Sequence, residues 1–384
     1  MHAVMAAAFS GHAVPARAGL QAVHLESATA IKSWGSEMSD QGLILVTGAT
    51  GFVGKWTVLE LLKAGHRVRG TVRSLGRAEE VRSTLLGELG QGTLDRLELV
   101  EADLLDDKGW AEAMQGVATV MHIATAIRGD EPKDQSLVIR PALEGTQRVF
   151  RFANAAGIKR IIMTSSIATV GYGHGQTSGR RVYDETYFTN LDNMRWTWAY
   201  CIGKTRAEQF AWAFAREHNI DLTTVHPGAI IGPALDKDAS ISLQMVSGLL
   251  NGTTPAMPSN GFSIIDVRDV VALHLAALND PETSGQRYLA TAEYVPFPEV
   301  GNILRAAHPE WGVTTKTVPD WIIRLIASFG GPARQIINDI GNEKVFDGSK
   351  GEKLLGRKFI SAKDSILATA DSVIRLGMVK QKTA

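Results

Sequence analysis

The chain has 384 residues, of which 45% are hydrophobic and 21% charged, as in ordinary globular proteins. Forty basic residues balance forty acidic ones, so no net charge draws the chain to nucleic acid or to an acidic membrane surface. The single cysteine excludes an internal disulfide and a cysteine-based zinc cluster, and no apolar run reaches transmembrane length. We expect a cytoplasmic monomer or homodimer that holds no metal.

The first forty residues differ from the rest of the chain. They are rich in alanine and other small residues and contain no convincing strand. A signal peptide needs a basic start and a longer apolar stretch, whereas only His2 precedes the short run "VMAAAF"; "ARA" at 16–18 nevertheless resembles a cleavage site. We interpret residues 1–40 as a disordered or non-native extension, with a targeting segment as the alternative.

Strands and helices alternate from Leu43 onward. Short apolar or β-branched runs predict the strands, and the segments between them have helical patterns. The predicted strands are "LILVTG" from Leu43, 67–72, 97–103, 117–125, 160–166 and 221–227. The predicted helices are 53–63, 77–89, 107–115, 134–156 and 197–218. This alternation predicts an α/β fold of the Rossmann type, a doubly wound parallel sheet built from right-handed βαβ units.

After residue 227 the regular alternation of strands and helices ends. Residues 262–279 predict one more strand and helix, with Asp269 as the helix cap, and the tail from about 297 to 380 is mainly helical. We assign residues 41–235 to the sheet domain, to which 261–292 returns. Residues 236–260 and 293–380 are assigned to a smaller, mainly helical lobe that binds substrate.

A glycine-rich turn, "TGATGFVG" at 47–54, follows the first predicted strand and opens a helix. Three glycines at three-residue steps suit a dinucleotide: one makes the turn, one admits the pyrophosphate, and one allows close packing of helix on strand. The free amides of the helix start then meet the diphosphate. The prediction places six residues against the cofactor: Gly48, Thr50, Gly51, Phe52, Val53 and Gly54.

The end of the second strand indicates which dinucleotide is bound. An acidic residue there holds the ribose 2′-hydroxyl of NAD, whereas arginine suits the 2′-phosphate of NADP. Here the strand ends "TVRSLGR", with Arg73 in the expected place and Arg77 four residues on. Since guanidinium groups bind phosphate well, we predict that the sheet domain binds NADPH.

A tyrosine and a lysine lie one helical turn apart in "AYCIGK", residues 199–204. Tyr200 and Lys204 therefore share a helix face, and we expect the ammonium to lower the pKa of the phenol so that it can exchange a proton with a carbonyl oxygen. Ser166, in "MTSS" at the end of the fifth strand, can hold that oxygen. Cys201 points away from this face and is expected to pack as a small hydrophobe.

Together these motifs resemble the extended short-chain dehydrogenase/reductase superfamily, and within it the dihydroflavonol reductase/cinnamoyl-CoA reductase-like group. The resemblance spans about 42–380 and includes "EADLLD", "HIAT", "HPGAIIGP" and "DVRDVVALHLAAL". It implies a catalytic triad of Ser166, Tyr200 and Lys204, with Tyr200 and Lys204 also touching the cofactor. It further implies cofactor contacts along the sheet edge, at Asp103 and Leu104 by the adenine, Thr125 and Ser165 along the cofactor, and Pro227 and Ile230 near the nicotinamide.

Two departures bear on the substrate. Flavonoid reductases of this group carry an asparagine soon after the serine pair, where this chain has Gly171, and the plant cinnamoyl-CoA signature around the tyrosine is incomplete in "TWAYCIGK". The sequence therefore favours NADPH-dependent reduction of an aldehyde or ketone. The alternatives are a sugar-nucleotide epimerase or dehydratase, a 3β-hydroxysteroid dehydrogenase, and a regulatory protein that binds the dinucleotide without turnover.

Overall fold

The described part of the chain alternates strands and helices as predicted from Leu43 onward. The structure, a computed structural model, describes residues 42–125, 132–175, 178–194, 198–237, 240–329 and 333–380. The predicted extension over 1–40 lies outside these ranges, and Gly42–Ala384 forms one compact unit.

The strands are β1 Leu43–Val46, β2 Arg67–Val72, β3 Leu97–Glu101, β4 Val117–His122, β5 Arg160–Thr164, β6 Gly179–Tyr183, β7 Asp221–Pro227, β8 Ala229–Ile231, β9 Gly261–Asp266, β10 Arg287–Ala290, β11 Glu293–Pro296 and β12 Asn342–Phe346. The helices are α1 Phe52–Lys63, α2 Ala78–Leu89, α3 Gln91–Leu94, α4 Trp110–Ala113, α5 Ser136–Ala155, α6 Ala199–His218, α7 Ile241–Leu250, α8 Val267–Asn279, α9 Phe297–Ala307, α10 Asp320–Ser328, α11 Ala333–Ile336, α12 Ser349–Leu355 and α13 Ala362–Arg375.

A parallel sheet of seven strands forms the centre, in the order β10-β7-β5-β4-β1-β2-β3. Successive residues of β1 face opposite sides: Ile44 and Val46 pack toward α1, α2 and α8, and Leu43 and Leu45 pack toward α4, α5 and α6. The chain winds outward from β1 to β3 and then returns to β4, so the strand order reverses between β1 and β4. The carboxyl ends of the strands at this reversal form the crevice in which such sheets bind ligands, as the predicted fold requires.

The remaining strands form two small sheets beside the central one. The strands β11, β9 and β8 form a small sheet over α7, α9 and α13, and β12 pairs in parallel with β6. Within the stretch expected to return to the sheet domain, α8 and β10 do so, whereas β9 belongs to the small sheet. The predicted cap of α8 is wrong: Asp266 caps the helix by accepting from the amide of Arg268, and Asp269 lies in the first turn.

No helix in the described part of the chain combines the length and the apolar character needed to cross a bilayer.

Candidate active site

The glycine turn is held between two strand ends. The Gly48 amide donates to Thr71 Oγ1 at 3.0 Å at the end of β2, and Thr47 Oγ1 accepts from the Ala124 amide at 2.9 Å beyond β4. Gly48 has a φ of +72°, which side-chain-bearing residues rarely adopt. The turn is therefore fixed in the crevice before any ligand binds.

The start of α1 is open to an anion. Gly51 precedes the helix in an extended conformation and is exposed, and within the described residues no side chain caps the helix there. The first amides of α1 have no partner inside the helix, and the helix dipole is positive at this end. These features fit the diphosphate of a dinucleotide, with Phe52, Val53 and Gly54 supplying amides at the first turn.

Gly54 is required by the turn itself. A Cβ at this position would lie 2.1 Å from the Gly48 carbonyl oxygen, which is backbone and cannot move aside. We expect Gly54→Ala to destabilise the fold by about 1–3 kcal/mol or more and to abolish dinucleotide binding, because the turn must open. Thermal unfolding and fluorescence titration with NADPH measure the two effects.

Gly87→Ala is the matched control for this substitution. Gly87 also lies in a helix, α2, but a Cβ there would meet nothing within 4 Å. The control should stabilise the protein slightly, by up to about 1 kcal/mol, and leave binding unchanged. Retained NADPH affinity in Gly54→Ala would contradict the role assigned to the turn.

The two arginines predicted to read the 2′-phosphate lie beyond β2, beside the glycine turn. Arg73 is exposed, and Arg77 is about one third exposed. Arg77 donates to both carboxylate oxygens of Glu80 at 3.1 Å and to Thr50 Oγ1 at 3.4 Å. The contact with Thr50 brings one guanidinium to the glycine turn, where a ribose phosphate can reach it.

The other residues assigned to the cofactor lie along the same edge of the sheet. Asp103 and Leu104 follow β3, Thr125 follows β4, Pro227 ends β7, and Ile230 lies in β8. All of these positions come at or just after the carboxyl ends of strands, except Ile230, which follows in the next strand.

Ser166 and Tyr200 come together at the end of β5. The strand stops at Thr164, two residues earlier than predicted, and Ser166 begins a short 3₁₀ turn. Its hydroxyl oxygen accepts from the Ala168 amide at 3.1 Å, which leaves its O–H to donate outward. Burial raises the pKa of Tyr200, and a hydrogen bond with the Ser166 side chain partly opposes this rise.

This direction corrects one expectation from the sequence. We expected Lys204 to lower the pKa of Tyr200, but the Lys204 ammonium is buried and donates to the Thr164 carbonyl at 2.9 Å. Burial lowers the pKa of Lys204 to about 8, while Glu208 acts in the opposite direction. Lys204 therefore anchors the end of β5, and Tyr200 carries its proton at neutral pH.

Ser165 makes a buried hydrogen bond that the sequence did not predict. It is 2% exposed, and its hydroxyl donates to Glu208 at 2.7 Å on the interior side of the sheet edge. The Ser165 side chain therefore has a structural partner in Glu208, and its predicted contact with the cofactor stays a prediction. Adjacent residues of an extended segment point in opposite directions, so Ser165 reaches Glu208 while the Ser166 hydroxyl accepts from the Ala168 amide.

Three other reactive side chains near the site are occupied in structural contacts. His122 bonds Thr47 and Thr146, and His226 bonds Thr169 and Thr224. Burial lowers the pKa of His122 to about 3 and of His226 to about 4, so both rings are neutral. Burial raises the pKa of Cys201 to about 12, and its thiol donates to the Ala168 carbonyl, as expected for a packing residue.

Aromatic side chains border Tyr200. Its ring centroid lies 5.3 Å from that of Trp198, and the Trp198 ring lies 5.5 Å from that of Tyr172. Beyond Tyr172 is a cavity of about 320 Å³ whose lining also includes His174, Met194, Ile337, Asn338, Ile340, Asn342 and Lys344. Ser166, Tyr200 and Lys204 are not among its described lining residues, so this cavity is separate from the predicted triad.

Gly171, the position at which the resemblance leads us to expect an asparagine in flavonoid reductases, faces Phe346 of β12. A Cβ at Gly171 would lie 2.5 Å from the Phe346 ring, and that ring stacks on Tyr183 at a centroid distance of 5.5 Å. The space of an asparagine side chain is therefore filled by the β6–β12 pairing.

The fold and the glycine turn define a doubly wound, dinucleotide-binding α/β protein. Residues 44–290 match the NAD dependent epimerase/dehydratase family, and the chain belongs to that family.

Relatives within this family are reductases. Cinnamoyl-CoA reductase CAD2 of Medicago truncatula is 34% identical over 283 residues, which cover 72% of this chain and 84% of the relative. Dihydroflavonol 4-reductase of Zea mays is 33% identical over 285 residues, which cover 73% of this chain and 78% of the relative. These relatives confirm the group that the motifs resemble.

A solved structure has the same fold. Yeast methylglyoxal/isovaleraldehyde reductase Gre2, complexed with NADPH, superposes with a TM-score of 0.71 and 24% identity, covering 88% of this chain and 99% of the yeast chain.

Proposed function

We propose that this protein reduces an aldehyde or ketone to an alcohol with NADPH, and that Tyr200 is the proton donor. The main support is the meeting of Ser166 and Tyr200 above the crevice that follows the glycine turn. The reductase relatives and the NADPH held by the yeast structure support the reaction class and the cofactor. An oxidoreductase of this kind accepts a small-molecule carbonyl substrate.

The residues around the turn fit the cofactor. The open start of α1 suits the diphosphate, and Arg73 and Arg77 suit the 2′-phosphate. When bound, the reduced nicotinamide supplies the hydride. Asp103, Leu104, Thr125, Pro227 and Ile230 would line the remaining length of the crevice.

The protein groups then handle the carbonyl oxygen. Ser166 donates its O–H to that oxygen and holds it beside Tyr200. Tyr200 Oη would give its proton to this oxygen as negative charge grows there, so that the alcohol results. The Lys204 ammonium donates to the Thr164 carbonyl at 2.9 Å, and we propose that it would also donate to the cofactor ribose.

Substrate choice is assigned to the regions outside the sheet domain. We propose that residues 236–260 and 293–380, together with the aromatic border at Trp198 and Tyr172, bind the rest of the substrate. The filled space at Gly171 argues against a flavonoid that needs an asparagine there. The single buried cysteine suits a reducing, cytoplasmic setting.

A direct assay tests the proposal. We expect the purified protein to consume NADPH at 340 nm with members of a panel of aliphatic and aromatic aldehydes and ketones, and to consume NADH far more slowly. A tightly held nicotinamide and conversion of sugar nucleotides without net NADPH loss would favour an epimerase instead. Binding of NADPH with no turnover of any carbonyl would indicate a regulatory protein.

A further inference from the structure

A buried carboxylate continues the line of catalytic residues along α6. Tyr200, Lys204 and Glu208 follow one another at four-residue steps, so all three lie on one face of the helix. The Glu208 side chain is 3% exposed. A buried carboxylate is retained only when partners compensate for the loss of water.

Glu208 contacts groups from four separate elements. One oxygen accepts from Ser165 Oγ at 2.7 Å, and the other accepts from Arg287 Nε at 2.9 Å and from Trp212 Nε1 at 3.2 Å. The His226 ring nitrogen Nε2 lies 3.5 Å from the same oxygen. The carboxylate thus joins α6 to the end of β5, to β7 and to β10.

This cluster reaches the backbone of the catalytic serine. Thr169 Oγ1 donates to the Ser166 carbonyl at 2.8 Å, and His226 Nδ1 lies 3.3 Å from the same carbonyl. The Ser166 carbonyl is therefore held by Thr169, whose Oγ1 lies 3.5 Å from Nη2 of Arg287, the ion-pair partner of Glu208. The neutral His226 ring packs between the Ser166 carbonyl and Glu208 and can donate to only one of them.

We propose that Glu208 is a positioning residue, whose carboxylate fixes the turn that presents Ser166 and keeps the Lys204 ammonium charged during the reaction. The role rests on the proposed carbonyl reduction, since it serves the same serine and lysine. Glu208 acts through these residues and does not touch the reacting atoms.

The charges around Lys204 favour this role. Its ionisable neighbours are Tyr200 and Glu208 on α6, His122 on β4 and His226 on β7, with Arg287 of β10 behind Glu208. Both histidines are neutral, and Tyr200 holds its proton. Burial alone would raise the pKa of Glu208, but the Arg287 charge and the hydrogen bonds from Thr169 and Ser165 lower it, so the carboxylate is ionised.

Glu208→Gln tests the proposal because glutamine keeps the shape and removes the charge. Without the carboxylate, the pKa of Lys204 falls further below its present value, so the ammonium is lost at lower pH. We expect the alkaline limb of the kcat/KM profile to move to lower pH by about one unit, with kcat reduced and NADPH affinity nearly unchanged. Glu208→Asp, which restores the charge, should return the limb toward the wild-type position.

A double variant separates positioning from simple stability. Glu208→Gln leaves Arg287 buried without its partner, which lowers the melting temperature, and adding Arg287→Gln removes that uncompensated charge. We expect the melting temperature of the double variant to return toward the wild-type value, while the alkaline limb of its kcat/KM profile stays at the lower pH. Recovery of both would overturn the proposal, as would an unchanged profile in the single variant.

A measurement without turnover makes the result independent of the proposed reaction. The ¹⁵N shift of Lys204 Nζ, assigned with Lys204→Met, should titrate at lower pH in Glu208→Gln than in the wild type. An equal titration point would overturn the role of Glu208. Failure of the wild type to reduce any carbonyl would overturn only the proposed function.

Discussion

Tyr200→Phe is expected to lower kcat for carbonyl reduction by about 10²–10⁴, the usual contribution of a positioned proton donor. Phenylalanine keeps the ring that packs against Trp198 at 5.3 Å, so the melting temperature should stay within a few degrees of the wild type. NADPH binding should also persist, because the glycine turn and the two arginines are untouched. Steady-state NADPH consumption, fluorescence titration and thermal unfolding give the three readouts.

Tyr288→Phe provides a matched control for the loss of a phenol. Tyr288 lies in β10, an edge strand of the central sheet, and its ring contacts Lys350, away from the proposed triad. Activity of this variant should equal that of the wild type. If Tyr200→Phe keeps more than about a tenth of the wild-type kcat, another group donates the proton and the proposed mechanism is wrong.

The direction of the Tyr200 pKa suits the reductive reaction. A donor must hold its proton before it gives it up, and burial keeps the phenol protonated across the neutral range. The Ser166 hydrogen bond is what opposes the rise in pKa, whereas the Lys204 ammonium is bonded to the Thr164 carbonyl. The sequence predicted that Tyr200 and Lys204 share a helix face, but it predicted a lowered pKa for Tyr200 where the structure raises it. Spacing along a helix does not reveal how deeply each group is buried.

Local patterns were sufficient for the features that depend on neighbouring residues. The order of β1–β5 and β7 followed from apolar runs, and the glycine turn from three-residue spacing after a strand. Helix α6 followed from its length and periodicity. In each case the physical cause, backbone geometry or helix periodicity, acts within about ten residues.

Contacts between distant segments could not be predicted in this way. Glu208 lies four residues after Lys204, yet its partner Arg287 comes 79 residues later, and no local pattern joins them. The same limit hid the pairing of β6 with β12 and the filling of the space at Gly171 by Phe346. The inward turn of Ser165 was hidden for a related reason, since it depends on where β5 ends.

Loss of either arginine beside the glycine turn is expected to remove most of the preference for NADPH. A charge-assisted hydrogen bond contributes about 1.5–3 kcal/mol, so Arg73→Ala and Arg77→Ala should each raise the NADPH KM by roughly 10- to 100-fold. The NADH KM should change little, since that cofactor has no 2′-phosphate. Initial rates with both cofactors at a fixed carbonyl concentration measure the ratio.

Within the protein, the Glu80 carboxylate competes with the 2′-phosphate for the Arg77 guanidinium. Its guanidinium is held by Glu80, which in turn pairs with the buried Lys55 at 2.9 Å. If the 2′-phosphate binds Arg77 in place of Glu80, the Glu80 carboxylate still has Lys55 as its ion-pair partner. We therefore expect Arg77→Ala to cost binding energy for NADPH while the contact between α1 and α2 persists through Lys55 and Glu80.

Lys63→Ala is the control for removing one positive charge and one short-range ion pair. Lys63 pairs with Glu60 at 2.9 Å, three residues away, as Arg77 pairs with Glu80, but it lies at the far end of α1. Both cofactors should keep their wild-type KM in this variant. If the NADPH-to-NADH preference of Arg73→Ala and Arg77→Ala also stays within about twofold of the wild type, the phosphate is read elsewhere, because even one lost charged contact should change it more than that.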